Sequence, residues 1–553
     1  MADALTPALR NNLASIQRRA PALFDRICLP VSSDHVQQSS DGHNCYQVHR
    51  SWHTYDLAAE QVVQSLDGVQ SEHIFLFGLG AGEQLLSLLG RDDVTSVLAW
   101  DRDPWLLRLF LSTHDVSADL RSGRLTFSLG ADLLDGLQDE LPRDAVVHPF
   151  FADQYRIEFA LLQTELQPKR ALLCAGTLFV DDLADSLAEA GYSCFTWDVG
   201  RLAPDELAIT AKRFGATLVA GINYTQGLAE ACRDLGLRLL IWEIDPSTDA
   251  LVPCRPPAEH THIFTYRRAQ VPVFEAAGFP NASYLPLAAN PARRFPADPE
   301  ADNASQYRAP IAFVGASMRE QANLFGERLI AEYCLWRGGS PLDARAECSR
   351  ALDAMRAAHR EDLTFPRVEA LLTDALPEFV AALRSRANKP DPVVLASEIV
   401  AADKRLSYVE LLGPLGVHVW GDQAWQTAEG HGATYRGLAG HRFELGKIYS
   451  GATVNVDIGR LYQNDMVTMR VFDVMACRGF VLTERNDALL ELFTEGVELD
   501  CYTSTDELVE KAEYYCSHPG EAAAIAARGY EALLAQHTIS GRVATMLAAV
   551  GSK

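Results

Sequence analysis

The 553-residue sequence lacks most of the features that would narrow its chemistry at once. No apolar run reaches bilayer-spanning length, so no membrane-crossing helix is expected. The opening stretch MADALTPALRNNLASIQRRA has no apolar signal-peptide core and reads as a polar helix, which predicts a cytoplasmic protein. Cysteine occurs 11 times but singly, from Cys28 to Cys516, with no CxxC pair. That pattern argues against structural zinc and a disulfide framework, and for reduced cysteines used as small apolar side chains. There is no HExxH and no GxSxG, so zincin and α/β-hydrolase chemistry have no anchor. Positive charge is scarce: 49 Lys and Arg against 73 Asp and Glu give a net charge of -24. Such a field repels nucleic-acid backbones and anionic lipid, yet leaves room for one local basic pocket that binds a small anion.

What is present is an α/β pattern, and the length implies several domains. Residues 1–165 centre on EHIFLFGLGAGEQLLSLL, SVLAWDRDPWLLRLFL and GRLTFSLG, apolar runs alternating with helical patterns as in a parallel sheet. Residues 166–300 repeat the logic in RALLCAG, YSCFTWDVG, ATLVAGINY and LRLLIWEID, with intervening helices that end at glycines. The segment NPARRFPADPEADNASQYRAP has a linker's composition. Residues 301–553 hold a third unit, IAFVG, VHVWG, TVNVDIG and GFVLTE, interrupted over about 320–412 by an alanine-rich stretch read as an insertion or several surface helices. Doubly wound sheets bind ligands at the carboxyl ends of their strands, where strand order reverses.

The segment QNDMVTMRVFDVMACRGFVLTE, residues 463–484, carries the strongest chemical signal. Asn464 or Asp465 is a candidate helix N-cap. Arg470 and Asp473 then share one helical face. A helix N-terminus offers free N–H groups and partial positive charge to a phosphate, an arginine fork holds phosphate oxygens in pairs, and a carboxylate accepts from a ribose diol. Gly479 permits a tight exit to the next strand. An Arg and an Asp three apart on a helix are equally what a surface ion pair looks like.

This segment resembles the donor-site helix of GT-B glycosyltransferases, in particular the CgeB-like (spore-maturation-protein-like) group. The matching residues are Arg470, Phe472-Asp473, Ala476-Cys477-Arg478-Gly479 and Leu482-Thr483-Glu484. It departs from that group in having Asp473 where Glu is usual and Arg478 inserted before the glycine. The likeness extends to IAFVGASMR with Gly315 and Arg319, to Gly421 and Trp425, and to Asn455 and Asp457 in TVNVDIG. It implies a GT-B fold, two Rossmann-like domains facing a cleft, with an additional Rossmann-like domain in front. It further implies sugar transfer from a nucleotide-sugar donor to a hydroxyl acceptor on a protein or glycan. Gly315, Arg319, Gly421, Asn455, Arg470, Asp473 and Gly479 would hold the donor. No cofactor or metal is implied, since helix dipole and arginine take the cation's place.

In the middle region, LLIWEIDPSTD and YLPLAANP resemble the acceptor half of the same group. Asn223, Glu243 and Asp245 are its cleft candidates, and Glu243 or Asp245 is a candidate general base. Either also suits a cap of the turn before Pro246. In the first region Gly78, Gly80 and Gly82 follow a strand and Asp101 ends the next, the arrangement of an adenosylmethionine- or dinucleotide-binding unit. With VHRSWHTYDLAAEQVV it also resembles the amino-terminal module of motility-accessory-factor flagellin glycosyltransferases, which points to a protein acceptor. Asp101-Arg102-Asp103 is a DxD at a strand end, read as a loop feature. Two other readings stand beside the transferase: a methyltransferase working through Gly78–Gly82 and Asp101, and a binding protein that has lost turnover.

Overall fold

A computed structural model places the chain in two compact units, residues 1–240 and 241–553. It describes the chain except residues 1–5, 29–35, 39–43, 49–50, 56–65, 67, 139–144, 177–178, 199–203, 246–250, 299–303, 361–366, 387–389, 441–443, 462–464 and 552–553. Most of the VHRSWHTYDLAAEQVV segment, together with Asn464, lies outside the described residues.

In the first unit, β1 (Val36–Gln38), β2 (Asn44–Val48) and β3 (Ser51–Tyr55) form an antiparallel sheet. A parallel sheet follows, made of β4 (His73–Phe77), β5 (Ser96–Asp101), β6 (Leu125–Leu129) and β7 (Ala145–Val147) in the order β6-β5-β4-β7. Its strand order reverses between β4 and β7. The next sheet contains β8 (Lys169–Cys174), β9 (Tyr192–Trp197), β10 (Leu218–Ile222) and β11 (Arg238–Glu243), ordered β11-β10-β8-β9 and reversing between β8 and β10. The helices between these strands end where the sequence predicts, at Gly191, Gly215 and Gly236, all with positive φ.

The division between units falls inside β11, and the second unit continues from it through β12 (Thr261–Thr265) and β13 (Asn281–Tyr284), which pair in parallel. Thr261 and His262 lie in a buried strand. The second unit's larger sheet comprises β14 (Ala309–Val314), β15 (Val417–Trp420), β16 (Thr434–Tyr435), β17 (Ala452–Val456), β18 (Val481–Glu484) and β19 (Asp500–Tyr502). All are parallel, in the order β16-β15-β14-β17-β18-β19. Counted along the chain this is the 3-2-1-4-5-6 order of a Rossmann sheet, with its switch point between β14 and β17. The α/β class and its Rossmann-like sheets are thus as the alternation of apolar runs predicts.

Between β14 and β15 lie α1 (Arg319–Arg337), α2 (Pro341–Arg360), α3 (Val368–Ala375), α4 (Pro377–Arg384) and α5 (Pro392–Leu412). The expectation of surface helices fails for α5. Its Tyr408, Val409 and Leu412 join Ile311, Phe313, Val454 and Leu482 under the sheet. Its Val393, Leu395, Ala396 and Val400 join the core that α1 to α4 build around Leu329, Leu352, Leu372 and Phe379. A helix buried along most of its length belongs between two cores, which is where α5 sits.

After α6 (Glu444–Gly451) and α7 (Met469–Ala476) on either side of β17, the chain closes with α8 (Pro519–Gln536) and α9 (Ile539–Gly551). The turn between α8 and α9 locks onto the segment following β13: Ala289 and residues His537 and Ile539 exchange backbone hydrogen bonds of 3.2 and 2.9 Å. Arg542 donates to the carbonyls of Pro286 (3.0 Å) and Leu287 (3.3 Å). His537 packs on Phe472 and Phe493 with Arg542 against its Nδ1.

Burial, reinforced by Arg542, lowers the His537 pKa from its ordinary 6.5 to about 4. The unfolded chain therefore binds this proton first as pH falls, so the contribution is intact above 6.5 and is lost on the way down to 4. His537→Gln is expected to flatten the fall in melting temperature between those limits, measured by calorimetry across the pH range. An unchanged pH profile would show that another group governs acid lability.

Candidate functional site

Arg470, in the first turn of α7, stands at the switch point of the large sheet. Its Nε donates to the Val314 carbonyl at the end of β14 (2.7 Å), and Nη1 donates to Asp457, just past β17. The guanidinium lies 4.8 Å from the centre of the Phe313 ring. Asp457 is buried, and its other oxygen accepts from Thr483 Oγ1 of β18 (3.0 Å). The Asp457 carbonyl accepts from Tyr502 of β19 (2.8 Å). Arg470 and Asp473 do not pair with each other. Asp473, 6% exposed, pairs instead with Arg294 of the linker at 3.2 Å.

Helix α7 begins later than its sequence implies. Thr468 is the N-cap and Met469 the first helical residue, so the expected cap at Asn464 or Asp465 is replaced. Asp465 is drawn away by a contact between distant residues: its carboxylate accepts from Arg267 Nε (2.7 Å) and the Ala269 N–H (3.2 Å). Thr468 makes no capping bond, and its buried Oγ1 has no partner among the described residues. The Val471 N–H already donates to the Thr468 carbonyl (3.2 Å), which leaves the Met469 and Arg470 N–H groups for a ligand.

A pocket of about 160 Å³ opens beside this helix start, lined by Asp457, Arg460, Thr468, Thr483, Glu484 and Lys404 among others. Three of the lining charges, Lys404, Arg460 and Glu484, come from or meet α5, which sequence reasoning passed over. Lys404, 2% exposed, pairs with Glu484, whose other oxygen accepts from the Gly459 N–H (3.1 Å). Glu398 pairs with Arg460 at 3.2 Å. Arg405 donates to the Ala316 carbonyl in the loop after β14 (2.8 Å). Burial, then the like charges of Arg470 and Arg460, bring the Arg405 pKa down to about 9. The available signal was Glu398 and Lys404-Arg405 inside a 21-residue helix rich in Val, Leu, Ile and Ala.

The remaining expected donor residues mostly shape the loops. A methyl group at Gly315 would lie 2.6 Å from Arg470 Nη2, and one at Gly421 would lie 2.2 Å from the Gly315 carbonyl. That carbonyl accepts from Trp425 Nε1 (2.8 Å). Asn455 is buried, donating to the carbonyls of Tyr449 (3.0 Å) and Phe480 (3.2 Å). At the exit of α7, Arg478 takes the positive φ of 56°, while Gly479 is needed for close approach to Tyr449 and Asn455. Arg319 is exposed at the start of α1, 3.4 Å from Thr427 Oγ1.

Among the acceptor-side candidates, Asn223 follows β10 with a φ of 58°. Glu243 ends β11, 5% exposed, and Asp245 is exposed next to residues 246–250, so the turn it was expected to cap lies outside the described residues. The buried Tyr266 hydroxyl, whose pKa burial raises, feels Arg267, Asp245, Arg460 and Glu243. The ends of β11 and β12 therefore lie within electrostatic reach of the pocket wall at Arg460.

In the first unit, the glycine turn lies at the β4/β7 switch point, but the protein's own side chains crowd it. A methyl at Gly78 would lie 2.6 Å from Phe151 Cβ, one at Gly80 2.4 Å from His148 Nε2, and one at Gly82 2.3 Å from the Phe110 ring. Asp101 accepts from the N–H groups of Leu79 (2.9 Å) and Asp103 (2.8 Å) and from Tyr155 (2.9 Å). Burial raises its pKa to about 6. Arg102 of the DxD triplet is buried against Glu158 at 3.0 Å.

Residues 400–548 match the family model described as "Glycosyl transferase-like". No curated protein matches the chain. Solved structures with some likeness include a glycosyltransferase from Rickettsia africae ESF-5, 8% identical, covering 69% of this chain and 97% of its own, with a TM-score of 0.42. Anabaena Alr3699/HepE, solved with UDP and glucose, is 12% identical over 70% of this chain and 100% of its own, with a TM-score of 0.39. Sucrose-phosphate synthase from Thermosynechococcus elongatus is 12% identical over 69% and 98%, with a TM-score of 0.38. The parallel sheets described above, and not these likenesses, establish the α/β class.

Gly80 has a φ of 59° and no room for a side chain. Gly80→Ala is expected to cost about 1–3 kcal/mol through strain and the clash with His148. The readout is a lowered denaturation midpoint without any ligand added. A variant as stable as wild type would return this turn to the status of an open ligand site.

Proposed function

We propose that the protein is a GT-B-type glycosyltransferase that moves a sugar from a nucleotide-sugar donor to a hydroxyl acceptor. One observation carries the reading. Within the region that matches the glycosyl transferase-like family, Arg470 and the unspent start of α7 converge on the β14/β17 switch point, beside a charged pocket. Anions bind at helix starts, and ligands of Rossmann sheets bind at switch points. A volume near 160 Å³ is below the roughly 300–1,000 Å³ typical of whole-ligand sites, so it accommodates part of such a donor.

In this reading Arg470 and the α7 N–H groups hold the diphosphate, with Arg319 reaching it from α1. Gly315, Gly421, Asn455 and Gly479 keep the surrounding loops close, and Asp473, braced by Arg294, accepts from the ribose. Positive charge fixed before the reaction stabilises the departing nucleotide without a metal ion. Glu243 or Asp245 takes the proton from the acceptor hydroxyl if the transfer inverts configuration. The acceptor is a protein hydroxyl, flagellin-like, and the site of action is the cytoplasm. The methyltransferase alternative gains nothing from Asp101, because three internal donors occupy its carboxylate.

The test is a thermal-shift panel of UDP, GDP, CMP, dTDP and ADP, with pyrophosphate, on wild type, Arg470→Ala and Asp473→Ala. One nucleotide is expected to stabilise wild type, by about 2.7 kcal/mol at a hundredfold excess over its dissociation constant. Arg470→Ala should lose that shift. Asp473→Ala should lose the nucleotide shift while keeping the one from pyrophosphate. No shift with any nucleotide would sink the donor-site reading.

A further inference from the structure

Charges around the switch point do not balance. Lys404 pairs with Glu484, Arg460 with Glu398, and Arg470 with Asp457. Arg405 is the fourth cation in this cluster, and no carboxylate among the described residues pairs with it. It is 9% exposed, its Nε is buried without a partner, and its one hydrogen bond runs from Nη1 to the neutral Ala316 carbonyl. The cluster therefore holds four cations against three carboxylates, inside a chain whose overall charge is -24.

Asp457 and Glu398 also act on Arg405, but each is paired with another arginine, Arg470 and Arg460, and a guanidinium so placed and largely removed from water is costly unless a further anion joins it. Arginine keeps its proton at neutral pH, so the charge is not shed. Ala316, which Arg405 touches, is exposed in the loop that leaves β14, on the crevice side of the switch point. The fold of α5 does not require a cation at this place: Ala401, Ala402, Tyr408 and Val409, one turn to either side, are apolar and buried.

We propose that Arg405 binds the diphosphate of the donor, so that α5, the last helix of the stretch between β14 and β15, is part of the donor site. The inference rests on the donor-site reading above. A diphosphate brings the negative charge the cluster lacks, and the unengaged Nε side of the guanidinium fork is suited to two phosphate oxygens. Lys404 and Arg405, adjacent in sequence, divide the work: Lys404 is neutralised internally by Glu484, while Arg405 waits for the ligand.

The experiment compares the full-length wild type, Arg405→Met and Arg405→Lys by unliganded melting and by calorimetric titration with pyrophosphate and with the nucleoside diphosphates. Arg405→Met is expected to melt at or above the wild-type temperature, because an uncompensated charge has been removed, and to bind pyrophosphate roughly tenfold or more weakly. Arg405→Lys, which keeps the charge but not the fork, should fall between the two. An Arg405→Met protein that melts lower, or fails to fold, with Arg405→Lys binding like wild type, would show that Arg405 only pins the Ala316 loop. If wild type binds a nucleoside diphosphate and Arg405→Met binds it equally well, this inference alone falls. If wild type binds neither pyrophosphate nor any nucleoside diphosphate, the donor-site reading falls and takes the inference with it.

Discussion

The large sheet of the second unit depends on the contact between Arg470 and Asp457. Through it four strands are tied at their carboxyl ends: β14 by the Val314 carbonyl, β17 by Asp457 itself, β18 by Thr483 and β19 by Tyr502. The pair is largely buried, and removing one partner from such a pair typically costs about 3–5 kcal/mol, because the other charge is left stranded. Arg470 is therefore fixed before any ligand arrives. A guanidinium already oriented needs no reorganisation to stabilise developing negative charge, which is the condition for electrostatic catalysis in a preformed site.

The same constraint explains why α5 carries charge where its surroundings ask for none. Apolar residues at positions 398, 404 and 405 would suit a helix buried between two cores better than Glu, Lys and Arg. Two of the three are compensated by partners on the β17 and β18 side, Arg460 and Glu484. Local rules broken in a core, with part of the compensation missing, mark places where stability has been given up for a site.

Much of this fold was legible in the sequence. IAFVG, VHVWG, TVNVDIG and GFVLTE are apolar runs closed by polar residues or glycine, and they are β14, β15, β17 and β18. Arg470 was legible because it sits in a short helix leading into such a strand. Two things were not. The start of α7 was misplaced because Asp465, a good cap by composition, is engaged by Arg267, which lies 198 residues away in sequence. The contribution of α5 was hidden because charged residues on a helix ordinarily mean a solvated face. Only the packing of Leu329, Leu352 and Phe379 on one side and of the sheet on the other shows that Glu398, Lys404 and Arg405 are buried and not on such a face.

Glycines at the switch points show how one sequence feature arises from different causes. Gly80 follows β4 and Gly315 follows β14, each next to its sheet's reversal of strand order. Each leaves no room for a methyl group, so each reports that something comes close to the backbone. At Gly80 the neighbour is His148, a buried side chain from the exit of β7, and the acid at the end of β5 is spent on the loop itself. At Gly315 the neighbour is Arg470, an arginine whose Nη2 still faces the loop. The first closeness completes a core. The second brings a fixed positive charge to the switch point of the sheet. A glycine turn after a strand therefore localises a close approach, and the chemistry of the approaching group decides whether the place is a core or a site.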